Sequence, residues 1–180
     1  MKNKFFKTYI AFAFLILFSS CKKDNNQINE IPEPVEDKSF RVTMNLVVQK
    51  DDNFQIYYNE DGSDIYTPDK YIDVPVKGNT QAQDIIFKLP EDALPTSLRF
   101  DLGSNKEQGA VKINDFRMKY FDKTFVAKDT LFIYYFGHNQ QVEYDRGKAI
   151  AKPKIISNET YDPIFTGTEL LKEEIKKMVK

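Results

Sequence analysis

The chain has 180 residues, of which 41% are hydrophobic and 14% aromatic, with 7 Gly and 8 Pro; this excludes a disordered or collagen-like chain and suits one folded domain. One Cys, one His and no Trp exclude a disulfide framework and a Cys/His zinc cluster, and leave a single imidazole for acid–base chemistry. Without Lys2, Lys4 and Lys7, which belong to the leader described next, 23 basic residues face 27 acidic ones, a formal charge of −4 that gives no pull toward nucleic acid.

Residues 1–20 form an export signal: three lysines, an apolar core from Tyr9 to Phe18, then small residues before Cys21. The core is too short to be read as a spanning helix. Phe18-Ser19-Ser20-Cys21 resembles the lipobox of bacterial lipoproteins, with Phe where Leu is usual, a variant similar to those of Bacteroidota lipoproteins. The resemblance implies that Cys21 carries the lipid and attaches the mature chain to a membrane of the cell envelope, the outer membrane being the expected one. Whether the domain faces the periplasm or the exterior stays open, because Lys22-Lys23-Asp24-Asn25-Asn26 is less acidic than the segment that sends such proteins to the surface. Residues 21–38 have few apolar side chains, and Pro32 and Pro34 favour an extended chain, so this stretch is expected to be a flexible tether.

Residues 39–180 should form the folded domain. Phe40, Val42, Met44, Leu46 and Val48 alternate with polar positions, the pattern of a half-buried strand. After the turn Lys50–Asn53, Phe54, Ile56 and Tyr58 alternate again, and these first two strands are expected to be sheet neighbours. Further strands are predicted at 71–76, 85–89, 97–102, 110–120, 123–126, 130–136 and 141–144. Short strands at regular intervals with no βαβ spacing predict an all-β antiparallel sandwich. The segment Thr130–Phe136 is apolar on both faces and is expected either at the sheet centre, under the C-terminal helix, or at a partner surface. That helix is predicted at Thr168–Val179, with Leu171, Ile175 and Met178 on one stripe and Thr166 three residues before Glu169, the spacing of a capping box.

The order Asp52-Asn-Phe-Gln-Ile-Tyr-Tyr-Asn, Val74-Pro-Val-Lys-Gly, Ile86-Phe-Lys-Leu-Pro, Leu98-Arg-Phe-Asp-Leu-Gly and Val111-Lys-Ile-Asn-Asp-Phe resembles the jelly-roll β-sandwich domains similar to carbohydrate-binding modules. What the resemblance implies is a binding domain, most plausibly for a glycan. The alternative is a structural or accessory lipoprotein that binds another envelope protein.

Sugar rings pack their C–H faces on exposed aromatic planes, so Tyr57, Tyr58, Tyr66 and Tyr71 are the candidate ligand residues. Tyr57 stands opposite in parity to Phe54, Ile56 and Tyr58, and should project outward. In the loop Asn59–Asp64 the oxygens of Asn59, Asp61 and Asp64 form a weak calcium candidate, although the bidentate Glu of an EF-hand is missing. No metal or other cofactor is expected. Catalysis has little support: His138 sits in a strand-end turn, no nucleophile elbow, HExxH or P-loop occurs, and carboxylate pairs such as Asp101 with Asp115, the weak basis for a glycan hydrolase, arise easily by chance among 27 acids. A non-enzymatic role is the expectation.

Overall fold

The computed structural model describes residues 37–180. The export signal, Cys21 and the tether as far as residue 36 lie outside the described residues. In chain order the elements are β1 (Arg41–Val48), β2 (Asp52–Asn59), β3 (Tyr71–Val76), β4 (Asn79–Lys88), β5 (Ser97–Asp101), β6 (Val111–Tyr120) and β7 (Lys123–Lys128). A 3₁₀ turn (Asp129–Leu131) leads into the short α1 (Phe132–Tyr135), followed by β8 (Phe136–His138), β9 (Val142–Asp145), β10 (Ile150–Pro153), β11 (Ile164–Gly167) and α2 (Glu169–Val179). Two antiparallel sheets face each other. The first has six strands in the order β4-β1-β6-β10-β9, with β7 also paired to β6, and the second has five in the order β3-β2-β5-β11-β8. The chain is an all-β sandwich with a C-terminal helix, as its alternating pattern predicts.

Alternation determines which side chains fill the space between the sheets. Phe40, Val42, Met44, Leu46 and Val48 are fully buried from the first sheet, and Phe54, Ile56, Leu98, Phe100 and Phe165 from the second. Aromatic edges meet aromatic faces across the core: Phe87 and Phe100 lie 6.2 Å apart at 73°, and Phe116 and Phe136 5.0 Å apart at 90°.

The first two strands are not neighbours. β1 pairs with β4 and β6, while β2 pairs with β3 and β5 in the facing sheet. Their connection is held by the buried Gln108, which accepts a hydrogen bond from Lys50 N at 3.0 Å and donates one to Lys50 O at 3.0 Å. Crossing the core sets the two apolar faces against each other, where a flat hairpin would have left both needing separate cover.

The expected strand Thr130–Phe136 is mostly helical turn. Phe132, Ile133 and Phe136 are buried, a spacing of one helical face, whereas Leu131 and Tyr134 are 50% and 60% exposed. A segment apolar at nearly every position carries no period, so its sequence could not choose between strand and turn. β10 and β11, four residues each, lie outside the predicted strands.

Leu171, Ile175 and Met178 are buried beneath α2 as predicted. The capping box is not formed: Thr166 lies within β11, and Thr168 is the N-cap residue, its Oγ1 donating to Tyr134 O at 2.8 Å. Thr168 N donates to Tyr135 O at 2.9 Å, so the start of α2 is tied to α1.

Candidate functional site

The outer face of the five-stranded sheet is built by register. Tyr71 on β3, Tyr57 on β2 and Arg99 on β5 are direct cross-strand partners and form one row. The next row, two residues along each strand, is Asp73, Gln55 and Asp101. The parity argument for Tyr57 meets the structure here: Tyr57 is half-buried on the outside, while Tyr58 is 7% exposed and points into the core. Tyr58 is therefore withdrawn as a ligand-contact residue, because a strand's successive side chains take opposite faces.

Tyr57 stands between two neighbours. Its ring stacks on Tyr71 with centroids 5.1 Å apart and planes 21° apart, and the Arg99 guanidinium carbon lies 4.5 Å from its centroid. Since β2 runs between β3 and β5, these neighbours cover opposite flanks of the ring. Tyr71, on the edge strand and 40% exposed, keeps its outward flank free of both. Tyr66, half-buried, also lies near the arginine, with the guanidinium carbon 5.9 Å from its ring.

Arg99 is fixed by a two-pronged ion pair on its own strand: Nε donates to Asp101 Oδ1 at 2.8 Å and Nη2 to Oδ2 at 2.5 Å. Asp162 adds a looser contact, 3.9 Å from Nη2. Burial pushes the Asp101 carboxyl above its ordinary value, an effect that the guanidinium offsets only in part, and Asp101 in turn raises Arg99. Burial also raises the phenols of Tyr57 and Tyr66.

Beside this row lies a cavity of about 190 Å³ whose walls include Gln55, Asp73, Asp101, Ser104, Tyr161 and Asp162. Gln55 Nε2 donates to Asp73 Oδ1 at 2.9 Å, and Tyr161 donates to Asn105 O at 3.3 Å. The cavity floor is shaped by the tight loop after β5, where Gly103 has φ +82° and a Cβ would strike the Asp52 carboxylate. That carboxylate accepts hydrogen bonds from the backbone N–H of Ser104 and Asn105 at 3.0 and 3.2 Å.

The other sequence candidates are dispersed. The Asn59 Nδ2 donates to Ser63 O while its Oδ1 accepts from Thr96 Oγ1 at 2.8 Å, Asp61 accepts from Ser63 N at 2.9 Å, and Asp64 pairs with Lys172 on α2 at 3.0 Å. Each oxygen set serves its own loop or helix contact, and among the described residues no three His, Cys, Asp or Glu side chains are grouped to hold a metal ion. His138 is exposed at the end of β8, its Nδ1 3.0 Å from Asn139 O. Asp101 and Asp115 lie on the outer faces of different sheets, each held by an arginine of its own strand, so they share no substrate space.

Arg99, Gln55, Asp73, Tyr161 and Asp162 were not named from sequence. Three of them have a signal there: Arg99, Asp73 and Gln55 stand at the same parity as Asp101, Tyr71 and Tyr57 on predicted strands. Tyr161 and Asp162 reach the cavity from a connection that carries no periodic pattern. Compared with known proteins, the chain matches no family model, no curated protein and no solved structure.

Proposed function

We propose that this protein is a non-catalytic lipoprotein of the cell envelope, anchored through Cys21 to the outer membrane, whose sandwich binds a glycan on the outer face of its five-stranded sheet. The observation that supports this reading is the Tyr71–Tyr57–Arg99 row beside a polar cavity: a flat aromatic flank for the C–H face of a sugar ring, with carboxylate and amide groups next to it for hydroxyls. A hydrolase reading is weaker, because both oxygens of Asp101 are engaged by Arg99. Affinity electrophoresis of the mature chain through gels containing soluble polysaccharides of differing sugar composition tests the reading; retardation by at least one of them, lost in Tyr71→Ala, is the expected result. Free migration in all of them refutes it. For the anchor, Cys21→Ala should move the protein from the membrane pellet to the soluble fraction, and retention after a carbonate wash refutes lipidation as the attachment.

A second reading, attachment to another envelope protein, is favoured by the opposite face. There Ile86 and Val126, 50% and 42% exposed, lie in one cross-strand row with Thr43 and Arg117 on the six-stranded sheet.

A further inference from the structure

Resting on the glycan reading, we infer that the ligand is an uncharged glycan, that its ring packs on the free flank of Tyr71 and not on Tyr57, and that the site rejects uronate and sulfate groups. The first part follows from the row. Tyr57 has Tyr71 on one flank and Arg99 on the other, so neither face of its ring is open to a sugar. Tyr71 has one neighbour and a free flank at the sheet edge. Tyr57 is thus a positioning residue: it braces Tyr71 at the stacking distance and passes that bracing to the arginine.

The charge selectivity follows from what the arginine is doing. Arg99 is the one basic side chain at this row; its Nε and Nη2 are taken by Asp101, and its single positive charge is outnumbered by the carboxylates of Asp73, Asp101 and Asp162 around the cavity. Asp73 and Asp162 remain as carboxylates on the cavity wall; Asp73 is bonded only to the neutral Gln55 amide, and Asp162 is 3.9 Å from the already paired Arg99. Sugar hydroxyls donate well to such oxygens, while a ligand carboxylate or sulfate would face an excess of like charge that one arginine, already paired, does not balance. The cavity's size of about 190 Å³ is below that of pockets for drug-sized ligands, so it admits a single ring or a pendant hydroxymethyl group, with the rest of the chain lying across the open sheet.

The test uses the mature full chain and titrates it calorimetrically with gluco-, galacto-, manno- and xylo-oligosaccharides, oligogalacturonate and a sulfated galactan. At least one neutral oligosaccharide should bind, and the charged ones at least about tenfold more weakly. Tyr71→Ala should weaken the neutral ligand by about tenfold or more with the melting temperature nearly unchanged. Tyr57→Ala should weaken the neutral ligand and Tyr57→Phe should restore it, because bracing needs the ring and not the hydroxyl; equal binding by Tyr57→Ala and the parent overturns the positioning role. The double change Asp73→Asn with Asp162→Asn should narrow the gap between neutral and charged ligands while the neutral affinity drops. Charged oligosaccharides that bind as tightly as neutral ones, or an unaffected Tyr71→Ala, overturn this inference and leave the glycan reading standing. Absence of binding to every oligosaccharide, neutral and charged, overturns both.

Discussion

The two sheets carry the same pair of residues on their outer faces: Arg99 and Asp101 on β5, and Asp115 and Arg117 on β6, each two apart on a strand interior to its sheet. Their surroundings differ. The Arg99 and Asp101 side chains are 21% and 7% exposed, roofed by Tyr57 and Tyr66, whereas Arg117 and Asp115 are 35% and 23% exposed and are joined only by Asp84 from β4. One ion pair is part of a walled site and the other is part of a wet surface. The lesson is that aromatic cover, not the arginine–carboxylate pair itself, turns a strand face into a place where a ligand can be held.

The largest effect should come from below the site. Tyr58→Ala removes a ring from the core and should cost about 3 kcal/mol in chemical denaturation. A loss comparable to that of an exposed residue would mean that β2 does not hold the inward parity on which the outer row depends. Next, Arg99→Met should cost about 3 kcal/mol, because it leaves the Asp101 carboxylate, 7% exposed, without its counter-charge. Arg117→Met, the matching change on the other sheet, should cost under about 0.5 kcal/mol. Equal losses at the two positions would erase the contrast between the sheets.

Tyr57→Ala lies between these, at about 1 kcal/mol, since it forfeits one aromatic stack and one cation–π contact at a half-buried position. If its cost matched that of Tyr58→Ala, the outer row would be part of the core and not a platform.

The smallest effect concerns acid, and here too the sheets should differ. Asp37, next to β1, is held well below the usual carboxylate range by hydrogen bonds from Ser39, with Lys88 and Arg41 beside it. Its folded value is depressed, so its contribution is present above the unfolded carboxylate value of about 4 and is lost as pH falls toward the folded value. Asp101 is raised instead, so acid protonates it more readily in the folded state than in the unfolded state and its ionisation opposes folding above that range. Melting curves from pH 2 to 7 should therefore show Asp37→Asn flattening the acid limb and Asp101→Asn steepening it. The same change of slope in both variants would contradict the assignment.

Much of this was readable in the chain itself. Phe40, Val42, Met44, Leu46 and Val48 specify a half-buried strand because a period of two admits one buried face, and the same rule put Tyr57 outside and Tyr58 inside. Leu171, Ile175 and Met178 specify the buried stripe of α2 by the helical period. Local periods reach no further than the element that carries them. That β1 and β2 face each other across the core, and that Thr130–Phe136 coils instead of extending, was decided by which apolar faces could be covered together. Register across three strands, which no local pattern encodes, brought Tyr71, Tyr57 and Arg99 into one row, and packing closed the arginine on Asp101.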